Sequence, residues 1–286
     1  MNNVIKFFVL IFFAVSITVS LSSPVTAASA MSHGSNGILD GVKSYKIYYD
    51  APTPAIIRKM KAYDLVIIEP LLYTKTQIDE IKKGDTKVYG YINSMEADNW
   101  NTAFIRKLLP QDYYRSNGQK HYIKQWDSYL MNMGSSHFRQ LLLSEIHAQV
   151  YSKNMDGVFL DTVGNIDDYF SSKPAELKKQ RTGLQQLLKS VTSSYPRLGI
   201  IQNWGMDTLK AASADYVDAI MWEDFSHRVV SKDQWSRNQI LDLKELQQET
   251  GLEVLTVSFE QHSKSDAFSA AQGFKHYKAV KDFNRW

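Results

Sequence analysis

Cysteine is absent from this 286-residue chain, which excludes a disulfide framework, a lipobox and thiolate chemistry. An excess of one charge is lacking as well. Lys and Arg number 33 against 30 Asp and Glu, a formal net charge of +3, and so slight a balance gives no electrostatic case for a nucleic-acid partner. The short basic run Lys178-Lys179-Gln180-Arg181 falls inside a helical pattern and reads as a solvated face. The seven His residues show no paired ligand spacing and no His-Glu-x-x-His, so no metal is called for. Gly-x-Ser-x-Gly, Gly-x-Gly-x-x-Gly and P-loop patterns are also missing, and with them the usual signs of a serine hydrolase or a nucleotide cofactor. No cofactor is expected. Neither an internal repeat nor a second domain is visible.

Long apolar runs are confined to the N-terminus. Lys6 supplies a positive start, Phe7 to Leu21 is almost wholly apolar, and Ala28-Ser29-Ala30 offers a small-residue cleavage site, with Val25-Thr26-Ala27 as a second. Residues 1–30 therefore read as a secretory signal peptide. An uncleaved anchor would need a longer apolar core. Cleavage removes one Lys and no acid, leaving 32 cationic side chains against 30 acids and a charge of +2. The expectation is a secreted, extracellular protein, free or held at the cell envelope, monomeric and not inserted in the membrane after cleavage. Its core alone must hold it together.

What the chain does have is a regular alternation of strand and helix. Residues 31–42 read as a flexible lead-in, and 43–286 as a single domain. The stretch Met155 to Asn165 is typical of the pattern. Asp156-Gly157 signals a turn, Val158 to Leu160 is a run suited to burial on both faces, and Asp161 ends it. Asp156, which precedes the strand, belongs to the turn at the opposite end. Similar strands are expected at Ser44–Tyr49, Asp64–Glu69, Lys87–Asn93, Leu198–Asn203, Asp218–Glu223 and Leu252–Phe259. Weaker candidates lie at Ser128–Met133 and Phe274–Val280. Thr74 with Gln77, and Ser231 with Gln234, have the spacing of capping boxes. Helical stripes run through Phe138, Leu141, Leu142, Ile146 and Val150 and, after Pro174, through Leu177, Leu184, Leu187, Leu188 and Val191. This is the pattern of an α/β (β/α)8 TIM barrel, with one segment more than the eight strands require.

Several strands end on a polar side chain: Glu69, Asn93, Asp161, Asn203 and Glu223. Stepping back by twos from three of them gives Phe159 and Gly157, Ile201 and Gly199, Met221 and Ala219, so each shares a face with one large and one small apolar residue. Such layers fill a barrel beneath a polar mouth, where α/β barrels bind ligands. Two carboxylates at one mouth suit glycoside hydrolysis, which needs one acid to protonate the leaving oxygen and another as nucleophile or base. Trp100, Trp126, Trp204 and Trp222 lie near strand ends or in the long 99–126 stretch, and are candidates to stack on sugars. Alternation places Trp222 on the face opposite Glu223, where it could equally pack under a helix. Asp98, Asp167 and Asp168 could face substrate but read first as loop surface.

The series Gly90-Tyr91-Ile92-Asn93-Ser94-Met95-Glu96-Ala97, Asp156 to Asp161, Gln202-Asn203 and Asp218 to Glu223 resembles the endo-α-1,4-polygalactosaminidases, glycoside hydrolase family 114, with their spherulin-4-like relatives. The chain departs from their pattern at Met95, where relatives often carry Gly, and at Gly164-Asn165, where a second Asp is common. The resemblance implies a secreted barrel that cleaves α-1,4-linked galactosamine-containing exopolysaccharide by a retaining mechanism. It implies Asp161 as nucleophile and Glu223 as general acid/base, with Glu96 and Asn203 lining the cleft. Glu69, Tyr91, Trp204 and Trp222 complete the expected substrate-binding set. Two rivals stand beside this reading: a barrel that binds glycan without cleaving it, and a hydrolase of another α-linked polysaccharide.

Overall fold

A computed structural model describes residues 37–280 and 282–286. The expected signal peptide and residues 31–36 lie outside the described residues. Eight strands pair in parallel and in sequence order: β1 (Tyr45–Tyr48), β2 (Leu65–Ile68), β3 (Lys87–Asn93), β4 (Gly157–Asp161), β5 (Gly199–Asn203), β6 (Ala219–Trp222), β7 (Glu253–Ser258) and β8 (Lys275–Lys278). Helices α1 (Pro54–Met60), α2 (Lys75–Lys82), α3 (Ser136–Glu145), α4 (Pro174–Ser194), α5 (Gln234–Thr250) and α6 (His262–Ala271) alternate with them, and Met206–Thr208 with Leu209–Ser213 serves as the β5–β6 crossover. The arrangement is a (β/α)8 barrel. Its β8–β1 seam is bridged by Lys46, whose Nζ donates to the Tyr277 hydroxyl at 2.7 Å, and by the Tyr49 amide, which donates to the Phe283 carbonyl at 2.8 Å.

The surplus segment is resolved by pairing. Residues Phe274–Val280 contain β8, whereas Ser128–Leu130 pairs antiparallel with Glu96–Asp98 and Tyr122–Ile123 in a small separate sheet. Ser128 and Leu130 are buried while Tyr129 between them is not fully so; a strand covered on one face belongs to such a sheet rather than to a helix-wrapped barrel.

Local chemistry accounts for the element ends. The Thr74 hydroxyl accepts from the Gln77 amide and the Gln77 side chain takes the Thr74 amide, the expected capping box. At α5 the expectation is corrected. Asp233 is the cap, accepting from the Ser236 amide at 2.7 Å, while Ser231 turns its hydroxyl back to the His227 carbonyl. Charge and reach favour the carboxylate one residue before the helix. Asp156 sits at the bottom turn as expected, accepting from the Val88 amide at 2.9 Å and pairing with Lys82 at 2.8 Å.

Alternation divides the strands between two apolar clusters. Val66, Ile68, Val88, Val158, Leu160, Ile200, Ile220 and Val254 pack outward with the helices. Tyr45, Ile47, Leu65, Ile67, Tyr89, Phe159, Ile201, Met221, Leu255 and Val257 fill the barrel. Leu39 and Val42, from the described part of the lead-in stretch, join this inner cluster and are buried. The small residues found by counting back from Asp161 and Asn203 now have a reason. A Cβ on Gly157 would lie 2.1 Å from Tyr89 Cε1, and one on Gly199 would lie 2.0 Å from its hydroxyl oxygen. Tyr89 therefore fills the lower barrel only because both neighbours lack a side chain.

Gly199→Ala is expected to cost about 1–3 kcal/mol through overpacking. The Tyr89 hydroxyl is buried without a partner among the described residues, so Tyr89→Phe should recover part of that loss, while Gly157→Ala, which meets ring carbon, should not be rescued. Denaturant melts of the single and double variants check this.

Candidate active site

The mouth is formed by the residues at the C-terminal ends of β4, β5 and β6. The amide of Asn203, the last residue of β5, donates through Nδ2 to Asp161 Oδ1 at 2.7 Å and to Glu223 Oε1 at 3.0 Å. One NH2 group thus spans both acids. The chain leaves each of the three through the left-handed region: φ is +63° at Thr162, +56° at Trp204 and +56° at Asp224. For a β-branched residue this is costly, and Thr162 is held there by its partners. Its amide donates to Asp161 Oδ1 at 2.7 Å, and its hydroxyl accepts from the Met95 amide at 2.8 Å and donates to Asn93 Oδ1 at 2.6 Å. The sharp exits let three successive strands present their last inward side chain at one level.

Burial, reinforced by the Asp161 charge, raises the Glu223 pKa to about 8 against the opposing donation of Asn203. Glu223 is therefore held protonated at neutral pH. Two more acids share the environment. Burial lifts Glu69 to about 7, with Asp98 adding to the effect and the Leu71 amide opposing it. Burial lifts Asp98 to about 6, opposed by the Asn93 amide and reinforced by Glu96 and Asp161. The phenols of Tyr49 and Tyr91 ionise well above their ordinary range, chiefly through burial and then through Asp161. Their rings meet edge to face at 5.0 Å.

These groups line an open cleft of about 1330 Å³. Its walls carry Glu69, Asp98, Asp161, Asp168, Asp207, Glu223 and Asp282, and among the described lining residues there is no Lys or Arg. The structure brings together Asp161, Glu223, Glu69, Tyr91, Asn203 and Trp204 as expected, along with Trp100 and Trp126 on the rim. Glu96 reaches the same cleft, but both its oxygens are occupied, by the Ser128 hydroxyl and by Asn165 Nδ2. Its role in the fold is to tie the excursion after β3 to the turn after β4.

Trp222 is corrected. It is 2% exposed, packs behind the sheet among Trp204, Trp235 and Phe225, and does not line the cleft. The period-two pleat that aims Glu223 inward aims Trp222 outward. Asp98 and Asp168, read as loop surface, line the cleft, as does Asp167, which is largely committed to Arg181 at 2.9 Å and to the amides of Asp207 and Thr208. Tyr49, Trp235, Phe259 and Phe283 also line the mouth unforeseen. Of these, Tyr49 was within reach, because stepping by twos from Tyr45 and Ile47 lands on it.

An acidic barrel mouth with paired carboxylates, one held protonated, defines a glycosidase-type barrel. Comparison narrows the class. The model of glycoside-hydrolase family GH114 matches residues 32–284, and the chain belongs to that family; it is a glycoside hydrolase. Similar solved structures include the glycoside hydrolase domain of PelA from Pseudomonas aeruginosa, at 17% identity and TM-score 0.68 over 86% of this chain and 97% of that one. Aspergillus fumigatus Ega3 in complex with galactosamine aligns at 16% identity and TM-score 0.60 over 85% and 92%. The maltogenic α-amylase AmyB from Thermotoga neapolitana aligns at 13% and 0.51 over 75% and 59%. At these identities the likeness is one of fold. No curated protein sequence matches the chain significantly.

The raised Glu223 pKa fixes a sign for stability. Folded Glu223 keeps its proton up to about pH 8, whereas the free side chain releases it near 4.5. Stability is therefore lost as pH rises across that window. Glu223→Gln removes the loss, so its melting temperature should exceed the parent's at about pH 8–9 and approach it near pH 4, an effect on the order of 1–3 kcal/mol. Paired thermal melts across pH test this, and a difference that ignores pH would refute the burial of an ionisable Glu223.

Proposed function

We propose that the protein is a secreted, monomeric, endo-acting hydrolase of α-1,4-linked galactosamine-type exopolysaccharide, working with retention through Asp161 and Glu223. The observation that carries this is the single Asn203 amide shared by the two acids. It keeps their nearest oxygens no more than roughly 6 Å apart, a bound that admits the spacing of about 5–5.5 Å for retaining enzymes and lies below the 6.5–9.5 Å that inversion needs to admit water. The protonated Glu223 suits a general acid. In the first step Asp161 attacks the anomeric carbon while Glu223 gives its proton to the departing glycosidic oxygen, leaving a glycosyl ester on Asp161. In the second, the Glu223 carboxylate takes a proton from water, whose oxygen displaces Asp161 and restores both groups.

The substrate reading is supported by charge. A cleft rich in carboxylates, with no Lys or Arg among its described lining residues, favours a cationic, deacetylated amino sugar over an anionic polymer. Ega3, a similar fold, was solved with galactosamine. The open shape of the cleft supports attack within a chain, and the leader-like residues 1–30 support secretion.

Reducing-end release from an α-1,4-galactosamine-rich exopolysaccharide tests the reading. Asp161→Asn and Glu223→Gln should each lose at least about 100-fold in kcat, and parent kcat/KM should fall above about pH 8 as Glu223 ionises. Tight binding with no release by the parent would favour a glycan-binding barrel; release only from other α-linked polymers would replace the substrate.

A further inference from the structure

We propose that the Trp235 indole, stacked on Trp204, is a platform for a sugar of the glycan beyond the two joined by the scissile bond. The proposal rests on the hydrolase reading and adds a subsite to it. Trp235 is the second residue of α5 and is 46% exposed, although Ile240 and Leu243 of the same helix are buried. Its ring lies nearly parallel to that of Trp204, with centroids 6.4 Å apart and planes at 24°, and meets Trp222 edge-on at 5.6 Å and 77°. Trp222 is fully enclosed, so it serves as a foundation that sets the tilt of the half-buried Trp204 and the exposed Trp235. The start of α5 is fixed as well, since Asp233 accepts from both the amide and the hydroxyl of Ser236, at 2.7 and 2.9 Å. A flat apolar face is thus presented and oriented before any ligand arrives, which lowers the ordering cost of binding.

Continuity identifies the occupant. Trp204 and Trp235 line the cleft that holds Asp161 and Glu223. The other exposed large apolar side chains in that cleft, Leu71, Leu72, Trp100 and Trp126, come from the loops after β2 and β3. Around the barrel, β4 with Asp161 through β6 with Glu223 falls between those loops and α5. A polymer laid across the carboxylates therefore runs from one aromatic wall to the other. A pyranose offers an apolar C–H face to such a ring, and an amino sugar adds an ammonium that is attracted to the indole face.

Steady-state kinetics of parent, Trp235→Leu and Trp235→Phe, on long galactosamine polymer and on the disaccharide, test the platform. Leu keeps the position apolar but is smaller and removes the flat face. Trp235→Leu should raise KM for the polymer roughly 3- to 10-fold, change disaccharide kinetics much less, lower the melting temperature somewhat through the lost contacts with Trp204 and Trp222, and be largely reversed in Trp235→Phe. Unchanged polymer KM, or an equal change on both substrates, would overturn the platform while leaving the hydrolase reading intact. If the parent cleaves neither substrate, that reading fails instead, and titration of the polymer by tryptophan fluorescence decides the platform. Weaker binding in Trp235→Leu supports it; equal binding ends it.

Discussion

The site depends on one amide group. Asn203 Nδ2 lies between Asp161 and Glu223, two acids that would otherwise repel across a partly desolvated gap. A donor shared between them favours charge on either and fixes their spacing, while burial keeps one of the pair protonated. The same spacing demands that three neighbouring strands end at one height. The left-handed exits at Thr162, Trp204 and Asp224 provide that, and the Thr162 hydroxyl, bound to Asn93 and to the Met95 amide, keeps the most costly of them in place.

Beneath the pair the barrel is packed in layers. Phe159, Ile201 and Met221 lie under the polar ends, and Tyr89 fills the space over Gly157 and Gly199. The mouth is wide where the floor is dense. Glu69, Asp98 and Glu223 all have raised pKa values because burial disfavours their charge, so the cleft is a region where folding stability has been exchanged for chemistry. The inner core and the side-chain caps of α1, α2, α3 and α5 offset that cost without any covalent cross-link.

The aromatic residues divide by which side of the sheet they face. Trp222 supports Trp204 and Trp235 from behind, and all three meet within 6.4 Å. Glu96 makes a parallel case among the acids. A carboxylate at the mouth whose oxygens are both taken by Ser128 and Asn165 acts as a strut. Proximity to the cleft and contact with a substrate are separate properties, and hydrogen-bond occupancy and side-chain direction distinguish them.

Local pattern was enough for the barrel, the starts of α2 and α4 and the inward set of Asp161, Asn203 and Glu223, because pleat and helical period are properties of a few consecutive residues. It was also enough to place Trp222 opposite Glu223. The membership of Ser128–Leu130 in a separate sheet, the arrival of Asp98 and Trp235 at the cleft and the occupancy of Glu96 were decided only by tertiary structure. Each depends on partners far away in the chain, brought together by barrel closure and by the long excursion after β3, and no periodicity records such a meeting. The shared Asn203 amide belongs to both accounts: alternation aimed it inward, and the neighbouring registers of β4, β5 and β6 put both acids within its reach.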